Sequence, residues 1–333
     1  MPAIHIRRPW EMSGRLATPE SVYVGRRRFL KTAGLSGLAL VAGACSDRPA
    51  AARGTGATGQ SPASSAAAPS QAGDRSPLYP AARNPAYTLD RDLTPEPVAS
   101  NTINYYEFST DKSAVTELSA DLVTEPWTVE VTGLVKKPRT WGVDEILRVH
   151  SLEERLYRHR CVEAWAMAVP WTGLPLARFV AACEPLAAAR FVRFTSFNRP
   201  AEAVGQRVQS WYPWPYTEGL SLEEATNELA LLTTGIYGHP LPNQHGAPLR
   251  IVLPWKYGYK SIKGIVKIEF VASRPATFWN TVEPAEYDFV SNVDPGIPHP
   301  RWSQATERLL GTGERVPTQI YNGYGEQVAH LYA

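Results

Sequence analysis

Arg158-His159-Arg160-Cys161-Val162-Glu163-Ala164-Trp165 is the stretch from which this chain is best read. Three basic or potentially basic residues stand directly before Cys161. A thiolate is a soft ligand or a nucleophile, and nearby cations favour its charged form. The run is polar and has no clean period. Residues 166–175 follow it, and their prolines and glycine are breakers of regular structure. Cys161 is therefore expected on a loop feeding the core, where a reactive centre is both held and reached. A buried or disulfide-bonded thiol fits these eight residues equally well.

Composition narrows the class around that stretch. Of 333 residues, about 250 are available for a folded body, enough for one large domain or two small ones. No internal repeat and no second composition shift divides them, so one domain over residues 78–333 is the economical reading. The net charge of +2 carries no bulk signal for nucleic acid, and no nucleic-acid partner is expected. Pro 29 and Gly 24 predict many turns and a loop-rich, mixed fold. Three cysteines are too few for a disulfide scaffold.

The first 44 residues read as an address. Arg26-Arg27-Arg28-Phe29-Leu30-Lys31 precedes an Ala-, Gly- and Leu-rich apolar segment over 32–44. That segment is short of the roughly 20 residues a membrane span needs. A basic region, a short apolar region and a small-residue end make a secretory signal. The paired arginines with Phe-Leu-Lys resemble a twin-arginine signal, with Gly25 where Ser or Thr is commoner. That route carries folded proteins, so a cofactor inserted before export and a periplasmic destination are expected. Ala42-Gly43-Ala44-Cys45 suits ordinary signal peptidase and also loosely resembles a lipoprotein box, so a lipid anchor at Cys45 stays open. Residues 45–77 are Ala, Ser, Gly, Pro and Gln with almost no large apolar residue, a disordered linker by composition.

The body carries readable elements. Residues 127–133 alternate and end at Gly133, a strand. Val143, Ile146, Leu147 and His150 share helical spacing, as do Leu176, Phe179, Val180 and Cys183 within a helix over 174–182. Cys183 thus looks like a core thiol, and its pairing with Cys161 stays open in an oxidising compartment. Residues 191–197, 249–254 and 264–272 read as strands, and 303–310 as a short helix. Ser221 with Glu224 makes a capping-box pattern. Trp211-Tyr212-Pro213-Trp214-Pro215-Tyr216 interleaves rings with prolines and is either a surface recognition loop or a plug over the core. Lys256, Lys260 and Lys263 lie in one loop between two strands, which suits either an anion seat or a solvated basic turn. Dinucleotide, Walker, zinc-protease, C-x-x-C and serine-hydrolase motifs are all absent.

At this point three blocks carry a resemblance: residues 160–165, Pro254-Trp255-Lys256-Tyr257-Gly258, and His299-Pro300-Arg301-Trp302-Ser303-Gln304-Ala305-Thr306-Glu307-Arg308. In this order they resemble the catalytic subunits of bacterial periplasmic protein-methionine-sulfoxide reductases, members of the sulfite-oxidase-fold molybdoenzymes. The resemblance covers about 87–332. It implies an α+β, β-rich mixed fold in a single domain, with Mo-molybdopterin as cofactor. By it, Cys161 is the thiolate ligand of molybdenum, a pairing that suits a soft sulfur donor, and Arg160 helps keep that sulfur ionised. Tyr106, Glu107, Ser196, His245, Arg250, Ser261, Ile262 and Lys263 match positions that touch the cofactor. Ser196 stands for a typical Thr, and His245 for an Asn. Ile103 stands at a further Asn position, with Asn104 beside it.

The implied reaction is oxygen-atom transfer from methionine sulfoxide in oxidised periplasmic proteins, reversing the first oxidative lesion of Met. A membrane haem-containing subunit fed by quinol is the implied electron donor. An open site is expected, with Trp165 and the loop 211–216 as candidates for its rim. Two other readings remain. One is a relative using the same cofactor on sulfite or small S- or N-oxides. The other is a lipid-tethered, non-enzymatic binding protein with Cys161 joined to Cys183.

Overall fold

The structure is a computed structural model and describes residues 74–333. The expected signal over 1–44, Cys45 and all but the last few residues of the 45–77 linker lie outside the described residues. Among the described residues the strands, in chain order, are β1 (Thr128–Gly133), β2 (Arg139–Gly142), β3 (Glu153–Arg160), β4 (Trp165–Pro175), β5 (Phe191–Ser196) and β6 (Thr217–Ser221). They continue with β7 (Leu231–Ile236), β8 (His239–Pro240), β9 (Arg250–Val252), β10 (Ile265–Val271), β11 (Thr306–Leu309) and β12 (Arg315–Pro317). One sheet runs β2-β1-β10-β5-β6. The other runs β12-β11-β4-β7-β8, with β3 on β4 and β9 on β7. The β1–β10 and β4–β11 pairs are parallel and the remaining ladders antiparallel, so both sheets are mixed.

Period-two patterning places the strands. In β1 and β5 every second residue is buried, as their sequences predict. One continuous apolar cluster joins the sheets: Val129, Phe194 and Phe270 come from the first, Trp171, Leu232 and Ile236 from the second. The helix Val143–Val149 buries Val143, Ile146 and Leu147, and the helix Leu176–Ala182 buries Leu176, Phe179 and Val180. The second helix begins at Leu176 because Leu174 and Pro175 still belong to β4. Ser221 caps the helix Leu222–Thr226 as expected: its Oγ accepts from the Glu224 N–H at 3.0 Å, and the Glu224 carboxylate accepts from the Ser221 N–H at 2.9 Å.

Two expectations are corrected. Residues 166–175 are an almost wholly buried strand rather than broken structure. Pro170 is tolerated because its outward side lies just past the end of the β7 ladder, which starts at Trp171; only its carbonyl is used there, accepting from the Tyr237 N–H at 3.0 Å. The segment 303–310 forms strand β11, not a helix. Its Arg308 N–H donates to the Ala164 carbonyl and its Leu310 N–H to the Ala166 carbonyl, so an open edge of β4 overrides a weak local preference. No helix among the described residues is long and apolar enough to cross a membrane.

Candidate active site

Cys161 opens the turn that joins β3 to β4, a hairpin whose pairing runs from Glu153–Gly173 to Arg160–Ala166. The Cys161 N–H donates to the Trp165 carbonyl at 2.9 Å and the Ala164 N–H to the Cys161 carbonyl at 3.1 Å. Ala164 is held at φ 61°, a left-handed conformation that costs a residue with a Cβ about 1 kcal/mol or more. The turn is thus more sharply defined than the expected loop. It aims the sulfur into a cavity, where the Glu163 N–H donates to Sγ at 3.4 Å and Asn104 Nδ2 at 3.5 Å.

Arg160 does not serve that sulfur in the way its neighbourhood suggests. Its side chain is fully buried and turned toward β11, paired with Glu307 at 3.0 Å and donating to Gln304 at 2.9 Å and Thr318 at 3.2 Å. It also donates to the Cys161 carbonyl. Burial pushes the Cys161 thiol up to about 12 and the Glu163 carboxylate adds to this, while the Glu163 N–H and then Arg160 and Lys112 oppose it. The role of Arg160 is to fix the turn. The Trp302 indole and the Gln304 amide reinforce it, both donating to the Val162 carbonyl at 2.7 Å.

The cavity measures about 440 Å³. One wall is cationic or imidazole: His159, His245, Arg250 and Lys263. Burial, then Arg250 and Lys263, lower His159 and His245 to about 3 each, so both rings are neutral in the protein alone. Burial lowers Arg250 to about 10; among the described residues it has no carboxylate in ion-pair range, and it donates to the His245 and Ser261 carbonyls. Glu107 and Lys263 share the cavity floor. Burial raises the acid and lowers the base, and each charge favours the other. Gly258 is required where the chain passes the His159 ring, since a Cβ there would lie 2.5 Å from Nε2. The mouth is aromatic: Tyr106, Trp165, Trp279, Tyr287 and Trp302 line it, with Arg301.

The folded chain gathers Tyr106, Glu107, Cys161, His245, Arg250, Ile262 and Lys263 on this cavity. Ser196 and Ser261 stand behind its wall. Ser196 Oγ donates to the Lys263 carbonyl at 2.8 Å, and Ser261 Oγ accepts from the Leu253 N–H at 3.1 Å. They hold the backbone that carries Lys263 and Arg250. Ile103 offers the cavity an apolar side chain, while Asn104 turns its amide to Cys161 and Glu163. Of the three loop lysines only Lys263 reaches the cavity. Lys256 pairs with Glu224 and Lys260 with Glu218, both fully buried, so the loop is mostly internal scaffolding rather than an anion seat. Cys161 and Cys183 are both free thiols, which removes the disulfide reading. His159, Glu163, Trp279 and Tyr287 were not singled out from sequence. Only His159 and Glu163 had a signal, their nearness to Cys161.

Residues 115–279 match the family model described as oxidoreductase molybdopterin binding domain. Two relatives, from Pseudomonas syringae pv. tomato and Xanthomonas campestris pv. campestris, are each named protein-methionine-sulfoxide reductase catalytic subunit MsrP. Each is 42% identical over 322 residues, 95% of this chain and 93% of the relative. The chain belongs to this reductase family. A solved sulfane dehydrogenase, SoxCD from Paracoccus pantotrophus, covers 69% of this chain and 56% of its own at TM-score 0.43 and 13% identity, a likeness too slight to carry more.

The cavity fits the cofactor of a molybdopterin-dependent reductase. A thiol raised by burial is a poor nucleophile, yet a metal ion deprotonates a coordinating thiol outright. Arg250 and the two neutral imidazoles make a wall that a phosphate and pterin oxygens would satisfy. The buried Tyr105 hydroxyl, close to the Lys263–Gly264 backbone, has no hydrogen-bond partner in the protein alone.

Proposed function

We propose that this chain reduces methionine sulfoxide side chains in oxidised periplasmic proteins. The observation that carries the reading is the Cys161 sulfur, aimed by a rigid hairpin turn into a cavity with a cationic wall and an aromatic mouth, in a chain of this family. When bound, Mo-molybdopterin supplies two-electron oxygen-atom transfer: sulfoxide, two electrons and two protons give methionine and water. Cys161 holds the metal. Arg250, Lys263 and His245, with Tyr106, Glu107 and Ile262, line the same cavity and would hold the cofactor there, the cations suiting its anionic groups. Ser196 and Ser261 act through the backbone they brace. Asn104 links Sγ to the Glu163 carboxylate at 3.2 Å, and Lys112 holds that carboxylate at 2.9 Å, so the polar groups beside the sulfur are fixed in advance. The aromatic mouth restricts water while leaving room for a side chain.

A membrane haem-containing subunit fed by quinol delivers the electrons. Residues 1–44 direct twin-arginine export of the folded, loaded protein, 45–77 form the linker, and 78–333 the catalytic domain. Cys45 is the place for a lipid anchor if the chain is tethered. Protein purified from an export-competent host is expected to hold about one molybdenum per chain and to reduce an oxidised protein with a reduced dye as donor. Cys161→Ser is expected to lower turnover by more than about a hundredfold, the upper end of what loss of an outer partner costs. Active protein without molybdenum, or near-normal turnover in that variant, would overturn the reading. Turnover confined to sulfite or small oxides would move the chain to the related chemistry.

A further inference from the structure

Trp211 is 72% exposed, more than any other large apolar side chain among the described residues, and Val208 three residues earlier is 58% exposed. Leaving an indole in water forgoes the favourable burial of a large apolar surface. A mobile loop would let the ring fold back. This loop is instead tied down: the Tyr212 N–H and the Trp214 indole both donate to the Gln209 carbonyl, at 3.2 and 3.0 Å. Gln209 Nε2 in turn donates to the Tyr106 carbonyl at 2.8 Å, and the Gln206 N–H donates to the Glu107 carbonyl at 3.0 Å. The loop is therefore fastened to the two residues that line the cavity beside Cys161.

Ring contacts run along the same path. Trp211 lies 5.9 Å from Tyr212, Tyr212 lies 6.2 Å from Tyr106 and 5.9 Å from Trp279, and Tyr106 and Trp279 are 5.1 Å apart. Tyr106 and Trp279 line the cavity, and Trp211 does not. An exposed ring thus sits one aromatic residue outside the mouth, in a fixed position.

We infer that Trp211 is a specificity residue: a platform that binds the polypeptide flanking the sulfoxide, through apolar side chains next to the oxidised residue. This rests on the function proposed above and names what selects its substrate. A substrate that is itself a side chain must bring its main chain across the cavity's lip, and the lip continues into this ring. Aromatic anchors on rigid loops give much binding energy for little ordering entropy. Free methionine sulfoxide has no flanking residues and does not reach Trp211.

The test compares the loaded wild-type enzyme with loaded Trp211→Ala, using a reduced dye as donor. The substrates are an oxidised, unfolded protein, free methionine sulfoxide, and two oxidised peptides with apolar or charged flanking residues. The variant is expected to raise KM for the protein about tenfold, typical of a lost tryptophan anchor. It should keep kcat for the protein and both constants for free methionine sulfoxide, and it should lose the wild type's preference for apolar flanks. An unchanged KM for the protein overturns the inference. Equal losses on free and protein-borne sulfoxide also overturn it, as a general structural effect. A wild type that reduces free but not protein-borne sulfoxide sinks this inference and leaves the oxygen-transfer chemistry standing. A wild type that reduces neither sinks the functional reading itself.

Discussion

Arg250 shows how a single residue can be wrong for a fold and right for a site. A buried guanidinium with no carboxylate in ion-pair range among the described residues is costly to hold charged, which is why burial lowers it to about 10. Its fork is suited to phosphate and pterin oxygens. Arg250→Met is expected to reduce molybdenum content by about tenfold to a hundredfold, the scale of a lost outer contact, measured by elemental analysis of the purified protein. His245 makes a pH prediction in the cofactor-free protein. Its folded value, lowered to about 3, lies below the ordinary 6.5, so the unfolded chain binds a proton that the folded chain refuses. Stability is then lost as pH falls from 6.5 toward 3, by about 1.4 kcal/mol per unit from this group alone. His245→Asn should flatten that slope in urea unfolding followed from pH 7 to 4; an unchanged slope would contradict the placement of the ring. Cys161 and Arg250 were legible as candidates because chemistry marks them. The partners around the sulfur were not, since Glu163, Asn104 and Lys112 gain meaning only from distances.

The hairpin of β3 and β4 is the element that turns Cys161 into a site. One segment, residues 302–307, grips its turn at three points: Glu307 pairs with Arg160, and Trp302 and Gln304 hold the Val162 carbonyl. Glu307 also accepts from Arg91 at 3.1 Å, so its removal leaves the buried Arg160 without a carboxylate and Arg91 with Asp90 alone, at 3.2 Å. Glu307→Ala is expected to destabilise the protein by about 3–5 kcal/mol, the cost of breaking a buried pair, read from chemical unfolding. A loss below about 1 kcal/mol would mean the pair is solvated like a surface one. At this scale the sequence was uneven. Period-two alternation found β1 and β5, and the Ser221 capping box held to the atom. β4 was hidden because a proline marks a break unless the strand's neighbour ends beside it. β11 was hidden because four residues carry too little pattern to outweigh an available sheet edge.

Across the whole molecule, the two sheets share one apolar core, and the cavity is lined from loops and strand ends far apart in sequence, from Thr102 to Trp302. Protein made without the cofactor is expected to melt about 5 °C or more below the loaded form, by mass action of a tightly bound group. Equal melting temperatures, by calorimetry on both forms, would place the cofactor outside this cavity. The sequence by itself determined the alternating strands β1 and β5, two amphipathic helices, the Ser221 capping box and the cysteine from which the chain is read, because local periodicity and residue chemistry are written in order along the chain, while the α+β class and the family were carried by the resemblance of three sequence blocks. The tertiary structure alone decided that Arg160, Lys256 and Lys260 serve the scaffold while Arg250 and Lys263 serve the cavity. All five are cations in basic or apolar stretches. What separates them is whether a buried carboxylate from a distant segment closes a direct ion pair, as Glu307, Glu224 and Glu218 do for the first three, and that is a fact of space.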